Sequence, residues 1–122
     1  MTFNKEDKTI EINRGEQSSL RLINKNGNFN IGDKLKLSIV EKGNYENVLF
    51  QKEIEVIEEN NIIFFPFESD DTRFCNILSK EETFWYELEL NDSKPLIAYD
   101  SNKGKKFIIY PEAPNKGVTN NG

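Results

Sequence analysis

"KLKLSIVE", residues 34–41, decides how the chain is read. Leu35, Leu37 and Ile39 fall on one side of an extended backbone, with Lys34, Lys36 and Ser38 on the other. Successive side chains of a strand point to opposite faces, so a period of two predicts a half-buried strand rather than a helix. The same alternation returns on both sides of this stretch. "KTIEIN" (8–13) aligns Ile10 with Ile12, and "SSLRLIN" (18–24) aligns Leu20 with Leu22. "VLFQKEIEVIEE" (48–59) alternates through Phe50, Lys52, Ile54 and Val56, as one long strand or two. "TFWYELEL" (83–90) sets Phe84, Tyr86, Leu88 and Leu90 against Trp85, Glu87 and Glu89. "IIFFPF" (62–67) is a short apolar run in which Pro66 marks a strand end or an exposed edge. "LIAYD" (96–100) and "KKFIIY" (105–110) supply the last strands. Between them lie turn residues: 24–33 around Asn26-Gly27 and Gly32-Asp33, a loop at 42–47, Asn60-Asn61, and "NDSKP" at 91–95.

About seven to nine short strands separated by such turns predict one all-β domain over residues 1–110, an Ig-like antiparallel β-sandwich. Leu35, Leu37, Ile39, Phe64, Phe74, Tyr86, Leu88 and Phe107 are expected to share its core. Residues 111–122, "PEAPNKGVTNNG", read as an irregular C-terminal arm.

Composition agrees with a sandwich and narrows the function classes. A chain of 122 residues buries about two-thirds of its unfolded surface and needs no metal or disulfide staple. Nine Phe, four Tyr and one Trp supply bulky core material in a chain otherwise rich in charge. The net charge of −5 lacks the basic footprint of a nucleic-acid binder. "KGKK", with Lys103, Lys105 and Lys106, reads as a solvated turn. The chain has no histidine and one cysteine, Cys75, so the usual triads and a Cys-rich zinc site are out of reach. Cys75 itself is expected to be a buried thiol. The start, "MTFNKEDK", has no apolar signal-peptide core, and "IIFF" at 62–65 is far too short to span a bilayer. No cofactor, metal, nucleic-acid or membrane partner is expected.

One stretch invites a chemical reading. "FESDDTRFCNIL" (67–78) crowds Glu68, Asp70 and Asp71 before Thr72. A Ca²⁺ loop would need oxygen ligands at alternating positions and a glycine for its turn. Helix initiation explains the same residues: Ser69 or Asp70 as N-cap, Asp71 in the first turn, then Phe74, Ile77 and Leu78 on one face. The expectation is one short helix over about residues 70–78 and no catalytic or metal-binding residues.

"INRGEQSSLRLINKNGNFNIGDKLKLSI", "ESDDTRFCNILSKEETFWYELEL" and "KKFIIYPEAP" resemble, in order, the opening, middle and closing strand of small proteins from phages and prophages of low-GC Gram-positive bacteria. Those proteins are similar to the N-terminal domain of phage baseplate upper proteins. The resemblance covers about residues 8–113 and implies an Ig-like sandwich encoded among virion structural genes, with no catalytic residues. Glu16 and Glu87 stand where the family often has Asp, and Lys80-Glu81-Glu82 replaces its usual Gly. Arg14-Gly15-Glu16 reads as a tight turn with Gly15 relieving backbone strain, not as an integrin-type tripeptide.

The expected function is a non-enzymatic structural or assembly protein of a tailed-phage particle, in its tail, baseplate or head accessory parts. It would be made in the host cytoplasm and carried in the virion, touching other virion proteins or copies of itself. The alternative is a small acidic phage-encoded inhibitor or adaptor that binds a host protein, with Glu53, Glu55, Glu58 and Glu59 as the nearest thing to an acidic stripe. Trp85 shares the polar face of its strand with Glu87, so either a segment of the same domain covers it or it anchors a subunit contact. Trp85, Glu87, Pro111 and Pro114 are therefore the candidate interface residues.

Overall fold

A computed structural model describes residues 1–76, 79–92, 94–97 and 104–112. The fold is an all-β sandwich, and the described residues form nine strands: β1 (Thr2–Phe3), β2 (Ile10–Asn13), β3 (Ser18–Ile23), β4 (Lys34–Glu41), β5 (Asn44–Glu55), β6 (Ile62–Phe67), β7 (Glu82–Leu90), β8 (Lys94–Ile97) and β9 (Lys105–Tyr110). The larger sheet runs β1-β2-β9-β7-β4-β5, with β8 beside the second half of β7. The smaller sheet is β3 paired with β6.

The period-2 segments build the larger sheet's inner face. Leu35, Leu37 and Ile39 of β4 lie opposite Leu90, Leu88 and Tyr86 of β7, and Phe84 lies opposite Phe107 of β9. Leu20, Leu22, Phe65 and Phe67 pack down from the smaller sheet. Aromatic rings link the layers: Phe67 meets Phe107 at 5.9 Å between centroids, and Tyr86 meets Phe107 edge-on at 6.0 Å. Tyr86 is fully buried, and its hydroxyl donates to the carbonyl of Lys8. Burial pushes its phenol well above the usual range, so it stays a neutral donor.

Several expectations need correction. Pairing is antiparallel throughout the described strands except between β2 and β9, which run parallel. Parallel neighbours need a long connection, and nearly the whole domain lies between these two strands. The loop expected at 42–47 is mostly strand, because β5 begins at Asn44 and a turn at Gly43 (φ 84°) joins it to β4. "KGKK" is not a turn where it is described: Gly104 is buried, Lys105 and Lys106 open β9, and Lys103 lies outside the described residues. Ile77 and Leu78 also lie outside them.

The helix expected at 70–78 is a single 3-10 turn, Ser69–Thr72, with Glu68 in the capping position. Asp71 folds back to accept from the Glu68 N–H at 2.8 Å, which tightens the turn. Phe74 then leaves the helical path to stack on Phe50 (5.6 Å) and meet Phe84 edge-on (5.3 Å). Cys75 is half-buried rather than sealed, with its thiol donating to the Thr72 carbonyl at 3.3 Å. Phe64 is not a core residue: it is 58% exposed, while Phe65 and Phe67 face inward. Conversely Phe29, inside the stretch read as turns, is buried at 3% exposure. Among the described residues no helix is long and apolar enough to cross a membrane.

The register makes a paired test. Leu37→Ala should lower unfolding free energy by about 2–5 kcal/mol, the range for a packed leucine. Phe64→Ala should change it by about 0.5 kcal/mol or less, as at an ordinary surface position. Equal denaturation midpoints for the two variants would contradict this burial pattern.

Candidate functional site

Of the residues singled out from the sequence, Trp85 and Glu87 share one face of β7, and Pro111 lies at the end of β9. Trp85 lies on the outer face of β7, half-buried. Its ring rests against Tyr45 of β5, with centroids 5.3 Å apart, and Gly104 passes over both rings. A Cβ at Gly104 would overlap the Trp85 ring and the Tyr45 hydroxyl. Trp85 is thus covered in part by its own chain, from β5 and the segment entering β9. Glu87 lies on the same face beside Glu89. Burial and the Glu89 carboxylate push its carboxyl up, against the pull of Lys36. Pro111 is half-buried at the end of β9, and Pro114 lies outside the described residues.

Two other places emerge. The first is one pole of the sandwich, organised by the Arg14-Gly15-Glu16 turn. Gly15 has a φ of 83°, and its N–H donates to the Thr72 hydroxyl at 2.7 Å. A left-handed backbone beside the Arg73 guanidinium and the Glu112 carboxylate leaves no room for a side chain there. Arg14 and Arg73 each donate to one oxygen of Glu112, both at 2.9 Å, tying the last of the described residues to the Arg14-Gly15-Glu16 turn and to the middle of the chain. Burial alone would push the Glu16 carboxyl up. Hydrogen bonds from the terminal ammonium of Met1, the Ser18 hydroxyl and the Asn13 N–H outweigh it and hold the carboxyl below its usual 4.5.

The second place is the side of the sandwich where the free edges of β5 and β6 run past each other. At one end this seam is closed. Lys52 belongs to the inner face of β5, opposite Leu37. Its ammonium donates to Asp71 at 2.6 Å and to the Pro66 carbonyl at 2.9 Å. At the other end the seam is open. A groove of about 380 Å³ runs between the end of β5 and β6. Ile54 and Ile63, inward-facing but only half-buried, lie along it with Ile57, Ile62 and Phe64. Glu55 and Glu58 form its polar rim. Ile57 is 84% exposed, and Ile23, opposite Ile62 on β3, is 45% exposed.

The chain matches no protein-family model, no curated protein and no solved structure. The chemistry of the seam rests on its own residues. Among the described residues no group of three or more His, Cys, Asp or Glu side chains could hold a metal ion. The acidic cluster at 68–71 is engaged in structure: Asp71 binds Lys52 and caps Glu68, and Asp70 pairs with Arg73 at 3.3 Å. What the seam offers is apolar area beside unpaired strand edge.

The sequence carried a signal for Lys52, since it occupies the apolar register between Phe50 and Ile54. The open seam had none. "IIFFPF" is apolar at every position, so its alternation cannot say which face is exposed.

Two measurements check these contacts. Gly104→Ala should lower the melting temperature and shift tryptophan emission to the red, because Trp85 is the only tryptophan and must move. Unchanged emission would contradict the close approach. A folded-state carboxyl pKa held down contributes stability that is present above the unfolded value and lost as pH falls through the folded one. Glu16→Gln should therefore be less stable than wild type at pH 7, and the gap should close as pH falls below 4.5. A gap independent of pH would show that the carboxylate charge is not what holds the turn.

Proposed function

We propose that this protein is a non-enzymatic assembly module that works through protein–protein contacts, as a structural or accessory part of a tailed-phage particle. The observation that carries the assembly reading is the apolar strip along the open side of the sandwich, in which Ile23, Phe64 and Ile57 are exposed and Ile62 is half-buried. Large apolar side chains gathered at one place on the surface mark contact sites, because leaving them in water costs free energy that a partner recovers. Trp85 and Glu87 contribute less to this reading than the strip does, since Tyr45 and Gly104 already cover the tryptophan.

The particle assignment is supported by the resemblance of residues 8–113 to phage baseplate-region proteins. In this reading the partners are other virion proteins, and the protein is carried in the virion. A second reading is favoured by a specific feature. Glu53, Glu55, Glu58 and Glu59 are all exposed around the end of β5, as a small inhibitor of a basic host protein would require.

Mass spectrometry of purified particles separates the two. Wild-type protein should co-purify with particles. Phe64→Glu, folded to the same melting temperature, should fall in particle content by roughly tenfold or more, the loss typical of removing an interface aromatic. Wild type absent from particles would contradict the assignment and favour the inhibitor.

A further inference from the structure

The edge of β6 has a defined hydrogen-bonding phase. Asn24 donates to the carbonyl of Asn61 at 2.7 Å, which makes 24/61 a hydrogen-bonded pair. Pairs alternate along an antiparallel ladder, so Ile23/Ile62, Arg21/Phe64 and Ser19/Pro66 are non-hydrogen-bonded pairs whose N–H and C=O groups point away from the partner strand. Two contacts agree with that phase. The Ile62 N–H is taken by the Asn60 side chain at 3.0 Å, and the Pro66 carbonyl is taken by Lys52. Both ends of the edge are thereby capped, and Pro66 has no N–H to offer. Between the caps stands Phe64. Its N–H and C=O face the open edge, beside the groove floored by Ile54 and Ile63.

We propose that this edge accepts an extended, basic segment of a partner protein as an added strand. The segment pairs with the Phe64 backbone and seats one aliphatic side chain on Ile54 and Ile63. It rests on the assembly reading above and adds the mode of binding and the chemistry of the partner. Main-chain pairing supplies affinity in strand addition, and alternate side-chain pockets supply specificity. Charge selects the partner. Glu55 and Glu58 line the groove and Glu53 and Glu59 lie next to them. Of the cations nearby, Lys52 is already paired with Asp71, and Lys34 and Lys36 lie across the ladder from Glu55 and Glu53 on β4, outside the groove lining, which leaves Glu58 and Glu59 as the carboxylates with no lysine opposite them in the ladder. Arg21 lies across the ladder from Phe64, on β3 rather than in the groove lining. A second copy of the chain is disfavoured as occupant, because a two-fold contact would bring the same carboxylates together on two molecules each of net charge −5.

The test uses the full chain, ¹⁵N-labelled, titrated with a synthetic peptide alternating lysine and isoleucine. Saturable shifts should centre on the amides of Phe64, Ile57 and Glu58. The same peptide N-methylated at alternate backbone nitrogens should lose binding, as should one with glutamate in place of lysine. The double variant Glu55→Lys, Glu58→Lys should bind the basic peptide at least tenfold more weakly. No saturable shift, or equal binding of the N-methylated peptide, would overturn strand addition. If Phe64→Glu leaves particles while the peptide is ignored, strand addition fails and the assembly reading stands. If the peptide binds as described and the protein is absent from particles, the site stands and the particle assignment fails.

Discussion

The ammonium of Lys52 is the constraint on which the arrangement of this molecule depends. A lysine on the inner face of an edge strand cannot leave its charge among leucines, because an unpaired charge in an apolar layer is strongly disfavoured. It is satisfied at the seam, by Asp71 and the Pro66 carbonyl. That fixes the 3-10 turn against β5 and β6 together. The turn then presents Thr72 to the Gly15 N–H, and Arg73 to Glu112, which also binds Arg14. One polar chain of contacts therefore joins the Arg14-Gly15-Glu16 turn, the middle and the end of the described chain. An inward-pointing charge is also a known way to keep an edge strand from pairing indiscriminately.

The same device explains why the seam is closed at one end only. Near Pro66 the proline and the lysine leave nothing to bond. Toward Ile62 the two sheets part. There Ile54 and Ile63 remain half-buried, and Phe64 presents its ring to solvent. Closed and open ends lie within one six-residue strand, Ile62–Phe67. The proposed strand addition needs both: an edge limited to a short window, and apolar area within that window.

Much of the fold is legible in the sequence, for a physical reason. β4 and β7 have one face buried and one largely polar, so Leu35–Leu37–Ile39 and Phe84–Tyr86–Leu88 write their register as alternation. Pro66 at an edge and Gly15 at a turn are legible because each has a backbone restriction of its own. What is not legible depends on three-dimensional neighbours. Residues 70–78 carry helix-start chemistry, yet Asp71 is drawn to Lys52 and Phe74 to Phe50 and Phe84, which ends the helix after one turn. Phe64 and Phe65 cannot be told apart in an apolar run. The β2–β9 parallel pair leaves no local trace, and neither does the cover that Tyr45 and Gly104 place over Trp85. Of the candidate site, only the lysine in an apolar register and the proline were readable beforehand.

Amide hydrogen exchange along β6 tests the central claim most directly. With the edge open at Phe64, its amide should exchange at a rate close to that of solvent-exposed backbone. The amides of Ile63 and Phe65, turned into the ladder with β3, should be protected to near the stability of the whole domain. If Phe64 is protected as strongly as Phe65, the edge is covered within the domain itself, and the account of a receptive seam is wrong.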